Sequence, residues 1–322
     1  MTKVLITGAS GVLGAAIYKA FKAVSGLTVK GLSHSRPTAE LEPLDLTDHE
    51  KTKAIFSSFA PDWVIHCAAE RRPDVADKNP AATKILNGEV PGFLAQLSTG
   101  STSNIKPFTL IYISTDYVFD GTAAPYSTTA PPNPVQLYGE TKLAGEQAIQ
   151  AVLSSEPGQR IVLRVPVLYG PVRVPSDSAV NVLLDIVRDQ SGKTYKMDHW
   201  ATRYPTNVED IAKYLVALVE KFPNASTRLP PILHFSAAEP YTKYEMCVLL
   251  ASLHTPPLAH THIVPDASEP VIPPGGVGRP KDCHLAVDEE WKAAGLQDSL
   301  EVGMYVGGFE EWWKAEIGRE GR

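Results

Sequence analysis

Short apolar runs of strand length alternate with longer stretches of helical period through the first half of the chain. Val4 to Ile6, Leu27 to Leu32, Trp63 to Cys67, Leu110 to Ser114 and Ile161 to Val165 make up the runs. A strand that is apolar on both faces belongs inside a sheet covered on both sides, and helical stretches between such strands predict parallel pairing through right-handed crossovers. Helices are predicted at about residues 12 to 24, 48 to 58, 80 to 98 and 136 to 154, each opening near a Gly, Pro or Asp. The fold class this pattern predicts is α/β, a doubly wound parallel sheet. After about residue 166 the texture changes to helical runs near 178 to 190, 208 to 221 and 241 to 253 separated by proline-rich connections. The expected division is a nucleotide-binding domain over 1–170, with about 203–238 returning to it, and a smaller C-terminal substrate or partner lobe over 171–322. Pro270 to Pro280 is expected to be a long ordered loop or a lid.

Composition narrows the class of function. With 322 residues and 43% apolar side chains the chain is long enough to bury a large core or two adjoining ones. Its 30 Lys plus Arg against 36 Asp plus Glu give a net charge of -6, and only Arg71 and Arg72 stand together, so nucleic acid is not the expected partner. No apolar run approaches the roughly 18 residues a membrane helix needs, and Met1 leads almost directly into a strand, so neither membrane spanning nor export is expected. Three scattered cysteines, Cys67, Cys247 and Cys283, fit neither a disulfide framework nor a zinc site, and the cytoplasm is the expected compartment.

The first strand leads into Thr7-Gly8-Ala9-Ser10-Gly11-Val12-Leu13-Gly14 and then a helix. Glycines in that setting permit a tight turn and let a pyrophosphate approach the helix N-terminus, whose free N–H groups carry partial positive charge. Gly8, Ser10, Gly11, Val12, Leu13 and Gly14 are thus the expected dinucleotide cradle of a Rossmann domain. The second strand ends at Leu32-Ser33-His34-Ser35-Arg36, where an NAD-specific site would place an acid on the ribose 2′-hydroxyl. No acid is present. Ser33, Ser35 and Arg36 instead suit a 2′-phosphate, since a guanidinium offers paired donors, so NADP is the expected cofactor with NAD as the alternative. Arg36 as a solvated loop charge is the competing reading. Asp45-Leu46 follows a third short strand; Asp45 meets the adenine amino group or caps the next helix.

A later strand delivers Ser114-Thr115-Asp116, and the helix after it carries Tyr138 and Lys142 at i and i+4, on one face. An ammonium near the phenol is expected to lower the Tyr pKa toward neutrality, so that Tyr138 exchanges a proton with a substrate oxygen while Thr115 hydrogen-bonds the substrate carbonyl. Roughly one Tyr-x-x-x-Lys arises by chance at this composition, and Tyr18 with Lys22 is such a match on the helix after the glycine turn. Order and setting distinguish Tyr138: glycine turn, hydroxyl residues at a later strand end, then Tyr and Lys on the next helix.

Together these residues resemble the extended short-chain dehydrogenase/reductase family, and Ile113-Ser114-Thr115-Asp116-Tyr117-Val118-Phe119-Asp120-Gly121 resembles its dTDP-4-dehydrorhamnose reductase branch. Cys67 to Asp74, Met197-Asp198-His199-Trp200 with Arg203, Pro205 and Thr206, and Thr242-Lys243-Tyr244-Glu245-Met246 resemble the regulatory beta subunits of methionine adenosyltransferase within that branch. The resemblance implies that Cys67, Ala68 and Ala69 line the cofactor cleft, that Val165 and Pro166 lie beside the nicotinamide, and that Asn87 sits behind the site. It assigns Asp116, Tyr117 and Arg203 to the substrate cleft, and Arg71 either to that cleft or to a surface ion pair. It further implies either partnership with a catalytic methionine adenosyltransferase subunit or reduction of a 4-keto-6-deoxy nucleotide sugar. Arg203-Tyr204 replaces the small residue that reductases usually place before Pro-Thr, and Asp116-Tyr117 replaces the Asp-Glu pair of dehydratases, which argues against 4,6-dehydration. The tail from Glu316 is charged and poorly suited to an apolar plug. His254, His260 and His262 read as loop residues without metal-ligand spacing, and no metal is expected. Trp312-Trp313 reads as a buried terminal helix or an interface.

Overall fold

A computed structural model describes residues 1–101, 104–152, 155–222, 228–271, 278–287 and 308–320. Seven strands form its central sheet: β1 (Thr2–Thr7), β2 (Leu27–Ser33), β3 (Leu41–Pro43), β4 (Trp63–His66), β5 (Thr109–Thr115), β6 (Gln159–Val165) and β10 (Ile232–His234). Their order is β3-β2-β1-β4-β5-β6-β10, and every neighbouring pair is parallel. Alternation within each apolar run builds two cores. Val4, Ile6, Trp63, Ile65, Ile111 and Ile113 face one side, where α1 (Val12–Lys22) and α8 (Val208–Lys221) cover them. Leu5, Val64, Leu110 and Tyr112 face the other, under α2 (His49–Phe59), α5 (Val90–Ser98) and α6 (Leu137–Gln150). This two-sided burial is why the strands read as continuous apolar runs.

The helix expected over residues 80 to 98 is interrupted. It consists of α4 (Pro80–Lys84), a π turn over Ile85–Glu89, and α5; a short α3 (Pro73–Lys78) precedes it. Pro91 lacks the N–H that would bond the Asn87 carbonyl in a regular helix. The Tyr112 hydroxyl donates to that carbonyl instead, at 2.9 Å.

The remaining elements are β7 (Leu168–Tyr169), α7 (Val182–Arg188), β8 (Tyr195–Asp198), β9 (Thr206–Asn207), α9 (Lys243–Ser252), β11 (Ile263–Asp266) and a last helix, α10 (Phe309–Glu320). The run expected at 178 to 190 is helical only over α7. Outside the main sheet, β8 pairs with β11 and β7 with β9. Tyr169, Leu183, Met246, Leu250, Phe309 and Trp313 form a third core, so Trp312 and Trp313 are packed inside the molecule. Most of the Pro270 to Pro280 stretch lies outside the described residues.

Candidate active site

The order of the strands reverses between β1 and β4, and in open α/β sheets ligands bind at the C-terminal ends of the strands beside such a switch point. The register pairs Thr7 with His66, His66 with Tyr112, and Thr115 with Val165, so the ends of β1, β4, β5 and β6 open on one edge. That edge collects Gly8, Cys67 to Ala69, Thr115 and Pro166.

Gly8 takes φ +64, and its carbonyl accepts from the Gly11 N–H at 2.9 Å. A Cβ on Gly8 would stand 2.7 Å from the Ala68 nitrogen, and one on Gly14 would stand 2.2 Å from the Gly8 oxygen. Only glycine lets the turn, the helix start and the Cys67-Ala68 strand end approach this closely. No side chain caps α1, so the N–H groups of Val12, Leu13 and Gly14 at its first turn remain to meet a ligand. Ser10 and Ser33 hydroxyls meet at 2.7 Å, tying the turn to the end of β2. Arg36 stands beyond Ser35 and donates to Asp177 at 2.7 Å.

Asp45 is not a helix cap. Its carboxylate accepts from both the amide and the hydroxyl of Thr47, which holds its pKa below the usual value, while Asp48 caps α2 by accepting from the Lys51 amide. Leu46 is buried beside it.

At the other end of the edge, Lys142 is 2% exposed, and its Nζ donates to the Ile113 carbonyl at 2.7 Å and lies 3.9 Å from the Tyr112 ring centre. Burial pushes its pKa down to about 7, with Glu146 opposing. The Tyr138 phenol stands near the Thr115 hydroxyl, which acts to lower its pKa. Its pKa rises above the ordinary phenol value because burial dominates, and the nearby charge of Asp116 adds to the rise. The expectation of an acidified phenol is therefore corrected. Lys142 turns its ammonium toward Ile113, and desolvation weakens the charge meant to stabilise a phenolate.

Thr115 donates to Asp116 at 3.0 Å and accepts from the Tyr117 amide at 3.2 Å. Asp116 is buried, which raises its pKa to about 7 against the Thr115 hydrogen bond and the Arg203 charge. The Tyr117 ring stands edge-on to Tyr138, with centroids 6.3 Å apart. Arg71 is exposed, and partial burial together with the charge of neighbouring Arg72 lowers its pKa against the opposing charges of Asp177 and Glu70. Arg203 is buried and already engaged, donating to Asp198 at 2.6 Å and to the Ala201 carbonyl at 2.7 Å. Thr115, Asp116, Tyr117, Tyr138 and Lys142 are thus brought together, whereas Arg203 borders them chiefly as a brace of the 198–203 turn. The Asn87 amide bonds the Glu70 backbone and Thr141, supporting α6 from behind.

Several supporting residues had no place in the sequence reading. Gly139 admits the Tyr117 carbonyl, 2.2 Å from where a Cβ would be, and so lets α6 close on the strand end. Glu146 and Arg164 form a buried pair at 2.7 Å, with Ser114 donating to Glu146. An arginine inside an apolar strand and an acid one turn beyond Lys142 were the available signals. Asp177 left none. His254 bonds Leu250 and Arg188, and His262 bonds Ile186; among the described residues no group of three or more His, Cys, Asp or Glu is placed to hold a metal.

Residues 1–299 match the family model described as RmlD substrate binding domain. The chain belongs to that family. As its motifs implied, this is the extended short-chain dehydrogenase/reductase type. It is 44% identical over 283 residues to methionine adenosyltransferase 2 subunit beta of Xenopus tropicalis, covering 88% of this chain and 80% of the relative. A dTDP-4-keto-6-deoxy-D-glucose reductase of Streptomyces niveus is 29% identical over 296 residues, 91% of each chain. The fold matches that of a dTDP-4-dehydrorhamnose reductase from Bacillus anthracis, solved in complex with NADP, with a TM-score of 0.74 at 21% identity over 99% of each chain.

Proposed function

We propose that this chain is an NADP-binding, reductase-like regulatory subunit that joins a catalytic methionine adenosyltransferase in the cytoplasm and modulates S-adenosylmethionine synthesis. The observation that carries this reading is the 44% identity to a methionine adenosyltransferase beta subunit across 88% of the chain. The glycine cradle, which side chains would fill, and the uncapped start of α1 fit a pyrophosphate. Ser10, Gly11, Val12 and Leu13 would hold it, Ser33, Ser35 and Arg36 would meet the 2′-phosphate, and Asp45 and Leu46 would border the adenine. Cys67, Ala68, Ala69, Val165 and Pro166 would line the path to the nicotinamide end, where Tyr138 and Lys142 would contact its ribose.

One observation favours a second reading, reduction of a 4-keto-6-deoxy nucleotide sugar: the 29% identity to a dTDP-4-keto-6-deoxy-D-glucose reductase over 91% of each chain, with Thr115 at the end of β5 and Tyr138 in the first turn of α6 both present. A bound reduced nicotinamide supplies hydride. Tyr138, kept protonated by its raised pKa, would deliver the proton to the substrate oxygen, and Thr115 would steady the charge developing there. Lys142 would orient the ribose, and Arg71, Asp116, Tyr117 and Arg203 would border the substrate. Co-purification with the catalytic transferase at micromolar concentration tests the first reading, and absence of a complex would remove it. Loss of reduced-nicotinamide absorbance on mixing the protein with NADPH and dTDP-4-keto-6-deoxyglucose tests the second; no oxidation would remove that one.

A further inference from the structure

Asp177 lies 141 residues from Arg36 in sequence, yet its Oδ1 accepts from the Arg36 guanidinium at 2.7 Å. The pair is half-buried, with the side chains 32% and 16% exposed, so it is screened less than a surface pair. Asp177 closes a short 3₁₀ turn, Pro175–Asp177, in the segment that follows β7. The base of that segment is pinned: Ser178 donates to the Leu168 carbonyl at 2.8 Å, and Asn181 donates to the Gly170 carbonyl at 2.9 Å. A rigid turn thus carries one carboxylate across to Arg36 in the loop that follows β2.

We propose that Asp177 is a specificity-determining residue that competes with a ribose 2′-phosphate for Arg36. The inference rests on the cofactor reading above. A 2′-phosphate brings up to two negative charges to the guanidinium, and the carboxylate already seated there must share the fork or yield it. A ribose 2′-hydroxyl brings no charge and meets no such opposition. Asp177 therefore lowers affinity for NADP while leaving NAD nearly unaffected, and it narrows a preference that Arg36 creates.

The test is calorimetric titration of the full-length protein with NADP⁺ and with NAD⁺, for wild type, Asp177→Asn and Arg36→Ala. Asp177→Asn keeps the shape and removes the charge. It is expected to tighten NADP⁺ roughly threefold to tenfold at low salt, to change NAD⁺ less than about twofold, and to lose its advantage as salt rises. Arg36→Ala is expected to weaken NADP⁺ alone. Unchanged or weaker NADP⁺ binding by Asp177→Asn, or equal tightening of both dinucleotides, would overturn the competition. Its failure is separable from that of the cofactor reading: a wild type that binds neither dinucleotide sinks the reading itself. A wild type whose NADP⁺ affinity depends on Arg36 but not on Asp177 sinks only the inference.

Discussion

Tyr138 has a pKa raised by burial, so the group is a proton donor at neutral pH and a poor base. Tyr138→Phe is therefore expected to reduce any reductase turnover by roughly a hundredfold or more while changing nucleotide affinity less than about twofold. Steady-state rates and titration of the same preparation check both parts. Asp116 allows a test by pH. Its pKa is raised from 3.8 to about 7 by burial, so folding favours the neutral carboxyl, and this contribution is lost as pH climbs through that window. Asp116→Asn removes the penalty, and the melting-temperature advantage of the variant should grow between about pH 4 and about pH 7 and then level off. An advantage independent of pH would show that Asp116 ionises freely. The sequence named Tyr138, Lys142 and Thr115 because strand, turn and helix order places them. The direction of the Tyr138 shift was not legible there, because it depends on how deeply the ring sits and on Lys142 turning to the Ile113 carbonyl.

Spacing of apolar positions located β1, β2, β4, β5 and β6 and the helices between them, since burial on both faces leaves a dense signal. The break at Ile85–Glu89 escaped that logic because its cause is a missing N–H at Pro91 and a tertiary bond from Tyr112, neither of which alters periodicity. The glycine turn is where local sequence and tertiary packing agree most closely. A Cβ on Gly14 would collide with the Gly8 oxygen at 2.2 Å, whereas one on Gly26 meets nothing within 4 Å. Gly14→Ala should destabilise the fold by about 2–4 kcal/mol and abolish nucleotide binding, because the start of α1 must move off the turn. Gly26→Ala, which bears only the strain of its positive φ, should cost about 1 kcal/mol and leave binding intact. Chemical denaturation and titration of the two variants distinguish loss of the cradle from general intolerance of substitution.

At the scale of the molecule, the two halves are not separated along the chain. Val208 to Val219 of α8 share one core with Val4, Ile6, Ile17 and Phe21, and β10 completes the main sheet beside β6. The third core is joined to this one through α8, where Trp312 donates to Glu209 at 3.3 Å while Trp313 lies buried against Tyr169 and Phe309. We propose on this basis that the nucleotide-binding part comprises residues 1–170 with about 203–238, and that the smaller lobe cannot unfold on its own. Calorimetry should then give one transition. Trp313→Ala, which empties one of the two tryptophan sites of the third core, should lower that single transition by an amount equivalent to about 3–5 kcal/mol. A second, earlier transition appearing in the variant would mean that the lobe melts independently, and that the Asp177–Arg36 ion pair joins bodies of separate stability.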